Sequence, residues 1–184
     1  MFIHLNVKSC YSLMNSIIKL DNLLDKTSRM KSTAVAITDI NTMHTFYDFE
    51  QHALKKDKKC KNAKRDVIAP IFGITFMVKS QIPDEFFNLT LLAKNNDGYQ
   101  NLIQLSTLAN TNHQQFAYVT LDDLVRFFQG LICLTGGEEG EIFYLVTHDR
   151  QDEAINYLKK LQAIYQKDIY LEVSNHNLPE EIEF

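Results

Sequence analysis

An α/β fold is what the sequence predicts, and three observations predict it. Short β-rich runs alternate with longer helical ones along the whole chain. Two of the β runs, Ala34-Val35-Ala36-Ile37 and Leu89-Thr90-Leu91-Leu92, are almost continuously apolar, as strands covered on both faces must be. The helical runs carry one apolar stripe each, as helices covering a sheet do. An open sheet and a barrel both satisfy these patterns.

The elements follow in order. Phe2–Val7 reads as a first strand: Phe2, His4, Asn6 and Lys8 alternate with Ile3, Leu5 and Val7, so Asn6 and Lys8 project side by side at its C-terminal end. Lys19–Arg29 reads as a helix with Leu20, Leu23 and Leu24 on one stripe and Lys19, Asp25 and Lys26 away from it. A strand at Ala34–Thr38 and a helix at Thr42–Leu54 come next, then strands at Ile71–Val78 and Leu89–Ala93. The helix at Asp97–Ala109 gathers Leu102, Ile103, Leu105 and Leu108. Leu121–Phe128 and Glu138–Val146 are shorter helices on either side of a strand at Leu131–Leu134. Gln151–Tyr165 sets Ile155, Leu158, Leu161 and Ile164 on one face, and Ile169–Val173 is the last strand.

With 184 residues, 45% of them hydrophobic, the chain is expected to form one domain with a core of its own. No run approaches the ~20 consecutive apolar residues of a membrane span, and the opening residues do not read as a secretory signal. Three cysteines, Cys10, Cys60 and Cys133, are widely spaced and odd in number, which fits a reduced, cytoplasmic setting. The net charge of −4 is uneven: Lys55 to Arg65 carries +6, leaving −10 on the other 173 residues. An acidic body argues against a broad phosphate-tracking surface. The block at 55–65 reads as a solvated basic loop insertion, with Lys55, Lys56, Lys58, Lys59 and Lys61 as candidate local contacts to nucleic acid.

Several chemical-looking groups have plainer readings. His44 and His52 are too far apart on a helix for a chelate at i, i+4, and His148-Asp149-Arg150 falls where a helix ends. Gly136-Gly137-Glu138-Glu139-Gly140 lacks the Lys-Ser/Thr of a phosphate loop and sets two acids where phosphate would lie, so it reads as a tight strand-to-helix turn. Cys133, in an apolar strand, reads as core, and the pairs Phe86-Phe87 and Phe127-Phe128 as divided between core and rim.

The run His4-Leu5-Asn6-Val7-Lys8-Ser9-Cys10-Tyr11-Ser12-Leu13-Met14 resembles the opening of the PHP (polymerase and histidinol phosphatase) domain of bacterial DNA polymerase III alpha subunits. The similarity continues in order through Ala34–Asp39, Pro70–Gly73, Leu91–Leu102, Gly130–Ile132 and Ile169–Glu172, and ends in Asn175-His176-Asn177-Leu178-Pro179. It covers essentially the whole chain apart from the lysine block, and Leu91–Leu102 is its most specific part. The resemblance implies an irregular seven-stranded β/α barrel, TIM-barrel-like, with a metal site at the C-terminal mouth of its strands. It also implies a domain incomplete at its C-terminus, ending near the sixth strand before a late Asp-x-His motif, in the N-terminal part of a longer polymerase subunit.

The same resemblance implies a degenerate metal site. The two histidines of the first strand correspond to Asn6 and Lys8, the following aspartate to Asn15, and the histidine after Thr-Asp to Ile40. Thr75 stands for a glutamate, Asn88 for a histidine and Gly137 for the small ligand after the fifth strand; His176 alone keeps a ligand type. Amides, a hydroxyl, an ammonium and an aliphatic chain cannot hold a divalent ion that needs three or more imidazole or carboxylate ligands. Lys8 could instead place a positive charge where the metal charge would sit, against Asp39 or Glu172. No catalytic residue, metal or cofactor is therefore expected in this segment. The implied role is structural in DNA replication: bracing the remainder of the polymerase chain and docking partners such as a proofreading exonuclease subunit, with weak or indirect DNA contact and no membrane. The alternative is a metal-dependent phosphoesterase or proofreading 3'-5' exonuclease with altered ligands, in which His176, Asp39, Glu172 and His4 converge.

Overall fold

A computed structural model describes residues 2–62, 68–111 and 116–173, with the backbone alone for residues 55–62. The chain forms a mixed α/β fold whose five strands are hydrogen-bonded in the order β1-β2-β3-β4-β5. By packing it divides into two compact units, Met1–Ile74 and Thr75–Phe184.

In the first unit, α1 (Leu20–Arg29) leads to β1 (Ala34–Ile37), and α2 (Phe46–Asn62) leads to β2, which starts at Ala69. Strand β1 pairs in parallel with β2 from Ala34↔Ala69 to Ile37↔Phe72, and all four β1 residues are buried. Burial on both faces is why Ala34–Ile37 needs no polar alternation. Helix α1 buries Leu20, Leu24 and Thr27, and in α2 Phe46 packs tilted and Phe49 edge-on against the Phe72 ring.

Two expectations for this unit are corrected. Residues 2–9 form no regular strand. The segment does lie along β1: Ala36 N–H donates to the His4 carbonyl (2.9 Å) and Thr38 N–H to the Val7 carbonyl (2.8 Å). Those bonds advance by two residues on β1 and by three on the N-terminal segment. A ladder needs equal steps, so the extra residue breaks it as a bulge does. The basic block at 55–65 is not simply a loop insertion either, because α2 continues through Lys55–Lys61 to Asn62. Lysine is a good helix former and the run has no Gly or Pro, so local propensity outweighs like-charge repulsion. Residues 63–67 lie outside the described residues, as do the lysine side chains and any contact they would make with nucleic acid.

The second unit contains the rest of β2 (Ala69–Lys79), then β3 (Phe86–Ala93) and α3 (Asn96–Thr111), followed by α4 (Leu121–Arg126) and β4 (Leu131–Leu134). A 3-10 turn at Gly137–Glu139, α5 (Glu141–Thr147), α6 (Gln151–Tyr165) and the short β5 (Ile169–Tyr170) complete it. Strands β3 and β4 are antiparallel, from Thr90↔Leu134 to Ala93↔Leu131, and β4 and β5 are parallel. Phe76, Leu91, Leu102, Leu105, Leu124 and Leu161 are fully or almost fully buried. Each such side chain contributes roughly 1.5–3 kcal/mol of hydrophobic burial.

The block Leu91–Leu102 has a visible physical reason for its pattern. Asn95 caps α3 by accepting a hydrogen bond from Gly98 N–H (2.9 Å), and Lys94 N–H donates to the Gly130 carbonyl (2.9 Å). Asn101 Nδ2 donates to the Gln129 carbonyl (2.8 Å). The start of α3 is thereby tied to the turn that feeds β4, and Gly130 makes that turn with φ +70°. Thr120 and Asp123 form a reciprocal capping box at the start of α4.

Glu141, at the start of α5, is 5% exposed. Its Oε1 accepts from Ser80 Oγ (2.8 Å), while the buried Oε2 has no hydrogen bond. Burial raises its carboxyl pKa above the usual 4.5, against the lowering influence of Ser80, Lys160, Tyr157 and Arg150. The folded state therefore holds this proton more tightly than the unfolded chain. Its contribution to stability is complete below the unfolded value and falls as pH rises toward the folded one. Glu141→Gln keeps the acceptor for Ser80 and removes the buried charge. We expect the variant to be more stable than wild type at neutral pH by about 1 kcal/mol, with a flatter stability profile from pH 4.5 upward. Urea unfolding of both proteins across that range checks this.

Candidate functional site

The strongest polar feature of the first unit is Asp39, which follows β1 and is fully buried. Its Oδ1 accepts from Ser9 N–H (2.6 Å) and Ser12 Oγ (2.7 Å); its Oδ2 accepts from Ser9 Oγ (2.8 Å) and Thr45 Oγ1 (2.8 Å). Four donors fill the roughly four lone-pair sites of an ionised carboxylate. All four donors are neutral, so hydrogen bonds alone tie the carboxyl group in place. A carboxylate engaged in this way is an anchor and has no lone pair left for an ion.

Four of the expected site positions surround this knot. Asn6 Oδ1 accepts from Thr38 Oγ1 (2.9 Å), next to Asp39. Ile40 N–H donates to Ser12 Oγ (3.1 Å), and Asn15 N–H to the Ser12 carbonyl (3.0 Å). Lys8 is half-buried, and its carbonyl accepts from Ser16 Oγ (2.7 Å). Asn15 is exposed, and its side chain bonds within its own turn, to the Leu13 carbonyl. His4 is exposed, its ring edge-on to Phe2.

Three further positions gather in the second unit. Thr75 is buried on β2, and its hydroxyl meets that of Thr90 on β3 (2.9 Å). Asn88, two residues before Thr90 and hence on the same face of β3, donates from Nδ2 to Glu139 Oε2 (2.8 Å). Gly137, buried with φ +55°, opens the 3-10 turn that carries Glu139. Gly136 beside it has φ +85°, and a Cβ there would lie 2.0 Å from the Asn88 carbonyl oxygen, so the turn packs directly on β3. His176 lies outside the described residues, as do Asn175 and the residues after it.

The donor set does not fit a divalent metal ion. Two amides and an aliphatic chain accompany a lysine in the first unit, and a hydroxyl, an amide and a glycine stand in the second. Among the described residues, no three His, Cys, Asp or Glu side chains come together as a metal site. Of the ligands that the phosphoesterase alternative would need, Asp39 is consumed by its four hydrogen bonds. Glu172 is half-buried beyond β5, where its N–H donates to Thr135 Oγ1 (3.0 Å).

The remaining polar motifs resolve simply. His148 follows α5 with Nδ1 against the Tyr144 carbonyl (2.8 Å), Asp149 turns the chain with φ +56°, and Arg150 pairs with Glu153. His52 meets Asp21 of α1 at 2.6 Å. Cys133 is buried, and burial pushes its thiol pKa far up, so it is inert core. Sequence reasoning missed the knot because its contributors, Ser9, Ser12 and Thr45, are common polar types. The one available signal was an acid, Asp39, ending an otherwise apolar strand.

The sequence pattern of the PHP domain family matches residues 4–176. The chain belongs to the PHP domain family. Among curated relatives, the DNA polymerase III subunit alpha of Rickettsia felis is 29% identical over 98% of this chain and 14% of that protein. The corresponding subunit of Treponema pallidum is 30% identical over 98% of this chain and 16% of its own length. This PHP chain thus spans about a seventh of the polymerase subunits it matches. Among solved structures, an amidohydrolase from Chromobacterium violaceum with bound sulfate and no metal matches with a TM-score of 0.50 at 10% identity, covering 96% of this chain and 88% of that one. That likeness supports the fold alone. No helix among the described residues is long and apolar enough to cross a membrane.

Proposed function

We propose that this PHP domain is a non-catalytic module of a cytoplasmic DNA polymerase III alpha subunit, kept for its shape and as a docking surface in replication. What supports this reading is the set of residue types at the seven positions that the resemblance assigns to metal ligands, from Asn6 and Lys8 to Asn88 and Gly137, in a chain similar to polymerase subunits. With such side chains no bound water is acidified and no phosphate oxygen is polarised. The chain forms one domain in this reading, its strands are part of an irregular seven-stranded β/α barrel, and polymerase chemistry resides elsewhere in the parent chain.

A docking role is supported by the loop at 11–18. Tyr11, Leu13, Met14 and Ile17 are 47%, 79%, 105% and 93% exposed, on a segment whose base is fixed by the Asp39 knot. Exposed apolar groups on a rigidly held loop suit a protein partner, either the remainder of the polymerase chain or a proofreading exonuclease. DNA contact is weak or indirect.

Hydrolysis of p-nitrophenyl phosphate, and of a single-stranded 3' end, by the purified chain in added Mn²⁺ or Zn²⁺ tests the reading. Rates at the level of a buffer blank are expected. Saturable turnover that disappears in a His176 variant of unchanged thermal stability would instead establish the altered-ligand phosphoesterase or exonuclease.

A further inference from the structure

In the second unit a pocket of about 360 Å³ is bounded by the residues after β2 and by α5 and α6, within the size range of small-molecule sites. It is distinct from the degenerate metal positions. Its wall carries two acids, Glu141 and Glu153, two bases, Arg150 and Lys160, and the apolar Ile82 and Leu145.

These charges are not equally engaged. Arg150 and Glu153 satisfy each other through two hydrogen bonds of 2.7 Å, from Nε and Nη2. Lys160 Nζ donates to Gln81 Oε1 at 2.7 Å, which uses one of its three N–H groups. Glu141 is at the opposite extreme: it is 5% exposed, Ser80 holds Oε1, and Oε2 is buried with no hydrogen bond. A buried carboxyl oxygen without a donor is costly, and natural proteins rarely leave one unless a ligand or water completes it. The Tyr157 hydroxyl, on the same wall, is another neutral donor beside this carboxyl, so the lining offers a carboxyl oxygen, Oε2, with no hydrogen bond made and an ammonium with capacity to spare.

The sign of the charges narrows the ligand class. A simple cation suited to Glu141 would meet Arg150 and Lys160, and a simple anion suited to Lys160 would meet Glu141 and Glu153. A molecule with both charges meets neither objection. We propose that this pocket binds a small aliphatic zwitterion of amino-acid size, its ammonium bonded to Glu141, its carboxylate to Lys160 and its side chain against Ile82 and Leu145. This assignment is independent of the polymerase-subunit reading.

Isothermal titration of the full chain with L-leucine, N-acetyl-L-leucine and L-leucinamide tests it. L-leucine is expected to bind saturably. Each blocked analogue, having lost one charged hydrogen bond, should bind about tenfold or more weakly. Glu141→Gln, which keeps the Ser80 contact, and Lys160→Gln, on an exposed helix position, should each weaken L-leucine by a similar factor while leaving the far-UV circular dichroism unchanged. Absence of saturable L-leucine binding would overturn the proposal. So would an analogue that binds as tightly as L-leucine, or a folded Glu141→Gln protein of wild-type affinity.

Discussion

Asp39→Ala is expected to destabilise the chain by about 3–5 kcal/mol, because it strips the acceptor from four buried donors at once. Ser9 N–H, Ser9 Oγ, Ser12 Oγ and Thr45 Oγ1 all point at this carboxylate. The backbone N–H of Ser9 cannot rotate to another partner. Asp39→Asn should be milder, about 1–2 kcal/mol. Its Oδ1 would keep Ser9 N–H and Ser12, and its Nδ2 could donate to the Ser9 and Thr45 hydroxyls, which can turn and accept. The order Ala worse than Asn is thus part of the prediction. Urea denaturation midpoints at constant slope give both values. An alanine variant within 1 kcal/mol of wild type would mean that the knot does not organise the loop.

The second large effect concerns Gly98. A Cβ at this position would lie 1.9 Å from the Gly130 carbonyl oxygen, which already accepts from Lys94 N–H. The obstacle is backbone, so no side-chain rotation relieves it. Gly98→Ala must push the start of α3 away from the turn before β4 or break the Asn95 cap. A loss of about 2–4 kcal/mol follows, despite the better helix propensity of alanine. Alanine at the exposed neighbour Gln100 should change stability by less than about 0.5 kcal/mol, giving the control. Thermal unfolding of the two variants side by side measures the difference.

How far the sequence reveals the fold depends on whether the information is local. The strand at Leu131–Leu134 and the helix at Gln151–Tyr165 occur with the expected bounds, because their apolar patterns are unbroken and their ends are marked. The first strand did not, since its alternation is genuine but the step of three residues between the His4 and Val7 carbonyls is set by β1. The lysine block departs from expectation for the opposite reason: its charge suggests a loop, while its helix propensity carries α2 to Asn62. At the site, residue types at the metal positions could be read in register with a known family. The Asp39 knot could not, because Ser9 and Ser12 lie about thirty positions away and carry no pattern of their own. Spatial convergence of ordinary residues is invisible to spacing. The pairing of Asn88 with Glu139 was hidden in the same way, across fifty-one positions.

In the proposed reading this PHP domain keeps its scaffold without metal chemistry. Metal content measured by mass spectrometry on protein purified without chelator tests it most directly, followed by titration with Zn²⁺ and Mn²⁺ under thermal unfolding. Substoichiometric metal is expected, with an unfolding temperature indifferent to either ion or to a chelator. One or more equivalents of tightly bound metal, with a melting temperature that falls when a chelator removes it, would instead mean that the domain holds a working metal site.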